Sequence, residues 1–377
     1  MSVYVHFPYC LEKCPYCDFV SYKTPRESID HRAYADAVLT ELASRAPALA
    51  GRTIGSVFFG GGTPSLWEPR ELGRVVAAIR ARGAGDVEVT VECNPTSLDR
   101  ARADALAEAG VNRLSIGVQS LRDPELRFLG RLHDARGALE AVRSALASNV
   151  GRVSADLIFG LPDQSPAEAA RQAGELADLG LRHLSCYQLT IEPRTRFGEL
   201  AKRGRLPLAD DGAVAEAFLA VEEALASRGL RHYEISNYAA PGEEARHNLG
   251  YWRGEEYLGL GCGAYGFARE GRGAGVRWRN RILPDEYMQN ASNPTTEREP
   301  LDAEALLRER IMLGLRVAEG LDLAAAGDDL GVDPMTPERR RTIDALVARG
   351  RLEVDGARLR IPPRAWLFAD DTAARLF

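Results

Sequence analysis

From the N-terminus to about residue 240, short apolar runs alternate with amphipathic stretches, and this alternation limits the folds open to the chain. The strand candidates are Val3–Phe7, Ser56–Phe59, Val87–Val91, Arg113–Val118, Val153–Phe159, His183–Leu189 and His232–Ile235. Helical patterns separate them at Tyr34–Arg45, Glu71–Arg82, Arg100–Ala109, Ala135–Ala147, Pro166–Leu179 and Ala213–Arg228. A strand that returns parallel to its predecessor needs a crossover element, so the pattern predicts a parallel sheet flanked by helices. Gly110, Gly180 and Gly229 each follow a helical run, where a left-handed C-cap favours glycine. The fold class expected is α/β: a partial TIM-like barrel of six or seven units over residues 1–240, open on one side.

The chemically unusual residues fall just after the strands. Cys10 follows the first, Gly60–Pro64 the second, Glu92 and Asn94 the third, Gln119 the fourth and Gly160–Pro162 the fifth, with Asp156 in the last half of that strand. Loops after strand C-termini build the active site of a barrel. Residues 241–300 read differently, being Gly-, Arg- and aromatic-rich with weak periodicity. Residues 301–377 turn helical (Leu306–Val317, Leu321–Leu330, Pro337–Ala348) and end in two short runs, Leu352–Val354 and Arg358–Ile361, across Asp355-Gly356. That order predicts a small winged-helix-like module.

With 45% hydrophobic and 27% charged residues, the chain has the balance of a globular protein. A formal charge of −6 gives no broad footprint for nucleic acid, and the third C-terminal helical run lacks a wide basic face. No membrane span and no signal-peptide pattern are present, so a cytoplasmic protein is expected.

Three of the six cysteines lie within eight residues, as Cys10-Leu-Glu-Lys-Cys14-Pro-Tyr-Cys17. Three thiolates on one loop can each hold one iron of a 4Fe-4S cubane and leave the fourth iron open to a small molecule. Structural zinc is the alternative, with His6 or a distant cysteine as fourth ligand, although the C-x3-C-x2-C spacing is not that of a zinc knuckle. Cys93, Cys186 and Cys262 are scattered and need no metal. The run Gly60–Gly62 permits close backbone approach to a ligand or, more simply, a tight turn. Glu92 suits a ribose hydroxyl or a solvated surface.

Taken in order, Tyr4-Val-His-Phe-Pro-Tyr-Cys10, the cysteine triad, Gly60-Gly-Gly-Thr-Pro64, Glu92-Cys-Asn-Pro95, Gly117-Val-Gln-Ser120 and Asp156-Leu-Ile-Phe-Gly-Leu-Pro162 resemble one radical S-adenosylmethionine (SAM) family. It contains the oxygen-independent coproporphyrinogen III dehydrogenases and the HemW-type haem chaperones, and the resemblance covers nearly the whole chain. It implies a 4Fe-4S cluster on Cys10, Cys14 and Cys17, with SAM held by Gly61, Gly62, Thr63 and Glu92. Gln119, Arg131 and Asp156 match contacts to a second SAM molecule, and Tyr4, Tyr16 and Thr190 match further SAM contacts. It also implies one-electron cleavage of SAM to methionine and a 5′-deoxyadenosyl radical, fed by an electron donor.

Two departures separate the branches. The dehydrogenases carry a fourth cysteine two residues after the third, where this chain has Phe19, and a long extension before the first strand, which begins here at Val3. The run Arg246-His247-Asn248-Leu249-Gly250-Tyr251-Trp252 matches the H-N-x-x-Y-W signature of the chaperone branch. Imidazole is a standard axial haem ligand and aromatic neighbours suit a flat macrocycle, so His247 is the expected ligand rather than a satisfied histidine in a packed aromatic turn, with Cys262 and His133 as lesser candidates. The expected partners are haem and apo-haemoprotein acceptors. The alternatives are a coproporphyrinogen dehydrogenase and a zinc-stabilised binding module.

Overall fold

Along most of the parallel strands polar and apolar side chains alternate, and this gives the sheet two unlike faces. The computed structural model describes residues 1–49, 51–83 and 85–377. Its parallel core runs through β1 (Ser2–Phe7), β2 (Ser56–Gly61), β3 (Glu88–Cys93), β4 (Arg113–Gln119), β5 (Arg152–Phe159) and β6 (His183–Gln188). These strands pair side by side in chain order. One face carries Val3, Val5, Val57, Phe59, Val89, Val91, Leu114 and Ile116, all fully buried. Helices cover that face, as βαβ crossovers require. The other face carries Ser2, Tyr4, His6, Thr90, Glu92, Ser115, Ser154 and Asp156, a polar lining for an interior.

The helices start where the sequence supplies caps. Asp30, Asp99, Asp134, Ser165 and Asp210 each accept a backbone N–H at the start of α1 (His31–Ser44), α2 (Arg100–Glu108), α3 (Ala135–Leu146), α4 (Pro166–Asp178) and α5 (Asp211–Ala226).

Two expectations are corrected. The run His232–Ile235 is not a seventh barrel unit. It forms β7 (Arg231–Glu234), the outer strand of an antiparallel pair whose inner strand, β8 (Asn237–Ala239), pairs with β6. Nor does the weak periodicity of 241–300 leave it without strands. It supplies β9 (Tyr257–Leu260), which pairs parallel with β1 on its free side, then β10 (Tyr265–Arg269), β11 (Gly275–Asn280) and β12 (Thr295–Leu301) in antiparallel succession. The result is one twelve-stranded sheet in the order β12-β11-β10-β9-β1-β2-β3-β4-β5-β6-β8-β7. Seven of its strands run parallel, β1 to β6 with β9 beside β1, and its two ends do not pair with each other among the described residues.

The C-terminal part has the element order expected of a winged-helix module: α6 (Ala303–Gly314), β13 (Leu321–Asp322), α7 (Leu323–Leu330), α8 (Pro337–Ala348), β14 (Glu353–Asp355) and β15 (Arg358–Arg360). The three strands form a small separate sheet. Arg339, at the start of α8, is buried and donates to the carbonyls of Leu376 and Pro334, so it ties down the chain end. Among the described residues, no helix is long and apolar enough to cross a membrane.

Candidate functional site

The cysteine loop is docked onto the strand ends by backbone hydrogen bonds. Tyr9–Cys10 pairs with Tyr22–Lys23 and folds the loop back on itself. The amides of Gly62 and Thr63 donate to the carbonyls of Phe7 and Tyr9 at 2.7 and 2.9 Å, joining the glycine run to the loop. A Cβ on Gly61 would overlap the His6 ring, and one on Gly62 would lie 2.6 Å from the Tyr9 carbonyl oxygen. These glycines are therefore needed at least for the fit of the cysteine loop.

Around the thiols, Thr63 Oγ1 lies 3.5 Å from Cys10 Sγ, and Arg131 Nη1 lies 3.4 Å from Cys14 Sγ. Arg131 Nη2 also donates to the Gly117 carbonyl at 2.8 Å, which fixes the guanidinium between β4 and the loop. Its Nε is buried without a partner. Tyr16 lies against the same guanidinium, and burial raises its hydroxyl pKa. All three thiols are half-buried and unpaired, and burial pushes the Cys10 thiol up to about 11.

The fit favours a cubane over zinc. No three His, Cys, Asp or Glu side chains among the described residues converge as they would on one ion. Thiols spread along a loop suit separate irons, whereas structural zinc needs four closed ligands. His6 cannot complete a zinc site in this conformation. Its Nδ1 is 3.0 Å from the Tyr4 hydroxyl, its Nε2 2.6 Å from the Val20 carbonyl, and burial lowers its pKa to about 4.

The polar face below the loop gathers most of the remaining candidates. Glu92 Oε2 accepts from the Gly61 amide at 3.1 Å. Burial, reinforced by the nearby Asp156 carboxylate, lifts the Glu92 pKa to about 8. Asp156 accepts from Ser115 Oγ at 3.1 Å, and burial raises its pKa as well. Gln119 adopts a left-handed φ of 66° where the β4–β5 register slips between Gly117 and Gln119. Such backbone strain clusters at functional positions. A Cβ on Gly117 would lie 2.8 Å from Gln119 Nε2 and 3.3 Å from Arg131 Nη2, so bare backbone lets the two side chains meet there. Thr190 stands apart on an exposed loop and donates to the Gln188 carbonyl at 3.4 Å.

The expectation of an axial ligand at His247 is not met by this geometry. The H-N-x-x-Y-W run forms a short helix, Arg246–Trp252, at the opposite end of the strands from the cysteines. His247 is 1% exposed, with Nδ1 3.0 Å from Ser56 Oγ and Nε2 3.2 Å from the Tyr251 hydroxyl. Its ring stacks on Phe58 at 5.0 Å, and its amide donates to Glu88. Burial lowers its pKa to about 3, so it is a neutral plug beneath the polar chamber. Cys262 is likewise enclosed, donating to the Ile282 carbonyl at 2.7 Å. His133 is half-buried beside Arg131, with Nε2 3.0 Å from the Val118 carbonyl and Nδ1 without a partner. Ser115, which positions Asp156, was not singled out from sequence; its signal was the polar position in the alternation Arg-Leu-Ser-Ile-Gly-Val-Gln.

A parallel α/β sheet with a three-cysteine loop at its carboxyl edge defines the radical SAM class. Residues 4–174 match the model of the radical SAM superfamily, and residues 301–368 match the HemN C-terminal domain. Heme chaperone HemW of Escherichia coli is 40% identical over 77% of this chain and 76% of its own length. Heme chaperone HemW of Mycobacterium tuberculosis is 35% identical over 98% and 93%. The bovine mitochondrial radical S-adenosyl methionine domain-containing protein 1 is 40% identical over 85% and 74%. Among solved structures, the coproporphyrinogen III oxidase HemN of E. coli superposes with a TM-score of 0.81 over all of this chain and 89% of that one, at 22% identity, a likeness of fold. The chain belongs to the HemW family of radical SAM proteins.

Proposed function

We propose that this protein is a radical SAM haem chaperone, which binds haem and hands it to apo-haemoproteins. The carrying observation is Phe19, 59% exposed beside the cysteine loop at the position where the dehydrogenases place a further cysteine. The relatives named as heme chaperones, matched over most of their length, support the same reading. Six unpaired cysteines accord with a reducing compartment, so we place the work in the cytoplasm.

Cys10, Cys14 and Cys17 would hold the cluster, which when bound supplies the electron for SAM cleavage. Thr63 and Arg131 orient two of the thiols. Tyr4, Gly61, Gly62, Thr63 and Glu92 would hold one SAM, with Glu92 accepting from the ribose. Gln119, Arg131 and Asp156 would hold a second, and the meeting of Gln119 and Arg131 at Gly117 supports that role for those two. Tyr16 and Thr190 complete the proposed SAM contacts, and a separate donor supplies the electron.

The test sets haem titration of anaerobically reconstituted protein beside an assay for coproporphyrinogen conversion. Saturable haem binding without formation of protoporphyrinogen is expected. Robust conversion would move the chain to the dehydrogenase branch.

A further inference from the structure

A cavity of about 630 Å³ lies between the cysteine loop and the segment from Arg194 to Pro207, within the range of small-molecule sites. Arg127, Arg194, Arg196 and Arg205 line it, all exposed. Their neighbours Arg122 and Arg203 are paired with Glu125 and Glu199, whereas none of these four forms an ion pair among the described residues. Phe128 and Leu200 supply an apolar wall, the Phe128 ring 4.8 Å from that of Phe197. Phe197 is fixed by its amide, which donates to the Pro15 carbonyl at 2.9 Å, so the wall is tied to the cysteine loop itself. Cys14 and Cys17 border the space and Cys10 does not, so it adjoins the seat of the cluster without being that seat.

The geometry points to this cavity as the haem seat, with the macrocycle against Phe128 and Leu200 and the two propionates on the arginines. The assignment rests on the haem-chaperone reading above. Guanidinium groups form charge-assisted, often bidentate hydrogen bonds to carboxylates, and aromatic walls suit flat rings. Apart from the two cluster cysteines, the wall offers no His, Met or Tyr; Lys13 is held by the Phe19 and Ser21 carbonyls and Glu12 is paired with Lys23, so the seat makes no protein bond to the haem iron. That suits a carrier. Contacts to exposed cations are screened and readily exchanged, whereas an iron–imidazole bond would have to break at every transfer.

The test compares wild type with Arg194→Glu/Arg205→Glu, two exposed positions where reversal leaves the core untouched, and with Arg136→Glu on a distant helix as control. Probes are haem, iron-free protoporphyrin IX and protoporphyrin IX dimethyl ester. Haem affinity of the double variant is expected to fall by about tenfold or more with cluster content unchanged, and the control to match wild type. Protoporphyrin IX should bind about as well as haem, and the ester about tenfold more weakly than the free acid. Unchanged haem affinity in the double variant would overturn the placement while leaving the chaperone reading intact. So would strong dependence on the iron. If the variant keeps its haem but its cluster is no longer reduced by an acidic electron-transfer protein, the face belongs to that partner instead. Absence of haem binding in wild type would remove both the placement and the function on which it rests.

Discussion

Glu92 shows how far a single side chain reports on the chamber. Its folded pKa of about 8 lies above the ordinary carboxyl value, so the folded chain holds a proton there that the unfolded chain has released. This contribution to stability is complete below the unfolded pKa and is lost as pH rises through about 8. Ligand-free wild type should therefore lose stability relative to Glu92→Gln as pH rises between roughly 5 and 9. Glu92→Gln should flatten that slope while weakening SAM binding. Thermal melts across pH with and without SAM check both effects, and a slope unchanged by the substitution would contradict the shifted carboxyl.

At the cysteines, reconstitution should give about four irons per chain, and Ala at Cys10, Cys14 or Cys17 should greatly reduce it. Full zinc occupancy without iron uptake would contradict the assignment. Ala at Cys93 or Cys186, both buried away from the loop, should leave iron content unchanged. His247 taught a different lesson. Its motif was legible in the sequence, but the partners that favour the packed alternative were not, because Ser56, Phe58 and Tyr251 meet around it only after the chain has folded. His247→Ala removes a packed ring with two hydrogen bonds and should destabilise the fold by about 2–4 kcal/mol, while haem bound by the surviving folded protein keeps its spectrum. Denaturation midpoints and absorption spectra of the same sample separate the two effects.

Elements were legible where a local rule sufficed. Caps at Asp30, Asp99, Asp134, Ser165 and Asp210 mark helix starts, and the six parallel strands appear as apolar runs bounded by glycine or polar residues. The strands after residue 250 were harder. Gly-Val-Arg-Trp-Arg-Asn alternates correctly, with Val276, Trp278 and Asn280 buried, yet glycine and arginine are weak strand formers. What stabilises these strands is pairing with β1 and with each other, information from distant parts of the sequence. The glycine run was read as room for a ligand or as a tight turn, and the part it plays in seating the cysteine loop was not legible. Gly62→Ala should therefore push the loop from the strand end, lowering both thermal stability and iron content. Normal iron loading in Gly62→Ala would show that the backbone bonds from Gly62 and Thr63 do not hold the loop.

For the whole molecule, the strand β7 edge and the C-terminal module form one body. The Ile235 amide donates to the Arg316 carbonyl at 2.9 Å and the Ala318 amide to that of Tyr233 at 3.0 Å. Trp366 packs edge-on against His232 at 4.0 Å, and its indole N–H donates to the Ile361 carbonyl at 2.7 Å. The cluster loop, the polar chamber and the arginine-lined cavity are built on the same sheet, while the H-N-x-x-Y-W plug closes its far end.

The central claim is that this assembly carries haem, and transfer measures it most directly. Protein reconstituted anaerobically with cluster, SAM and haem would be mixed with an apo-haemoprotein, and recovery of the acceptor's haem-dependent activity followed. The account predicts recovery with wild type and little with Cys14→Ala, which lacks the cluster beside the cavity. No recovery with wild type, together with conversion of coproporphyrinogen to protoporphyrinogen at the expense of SAM, would contradict it.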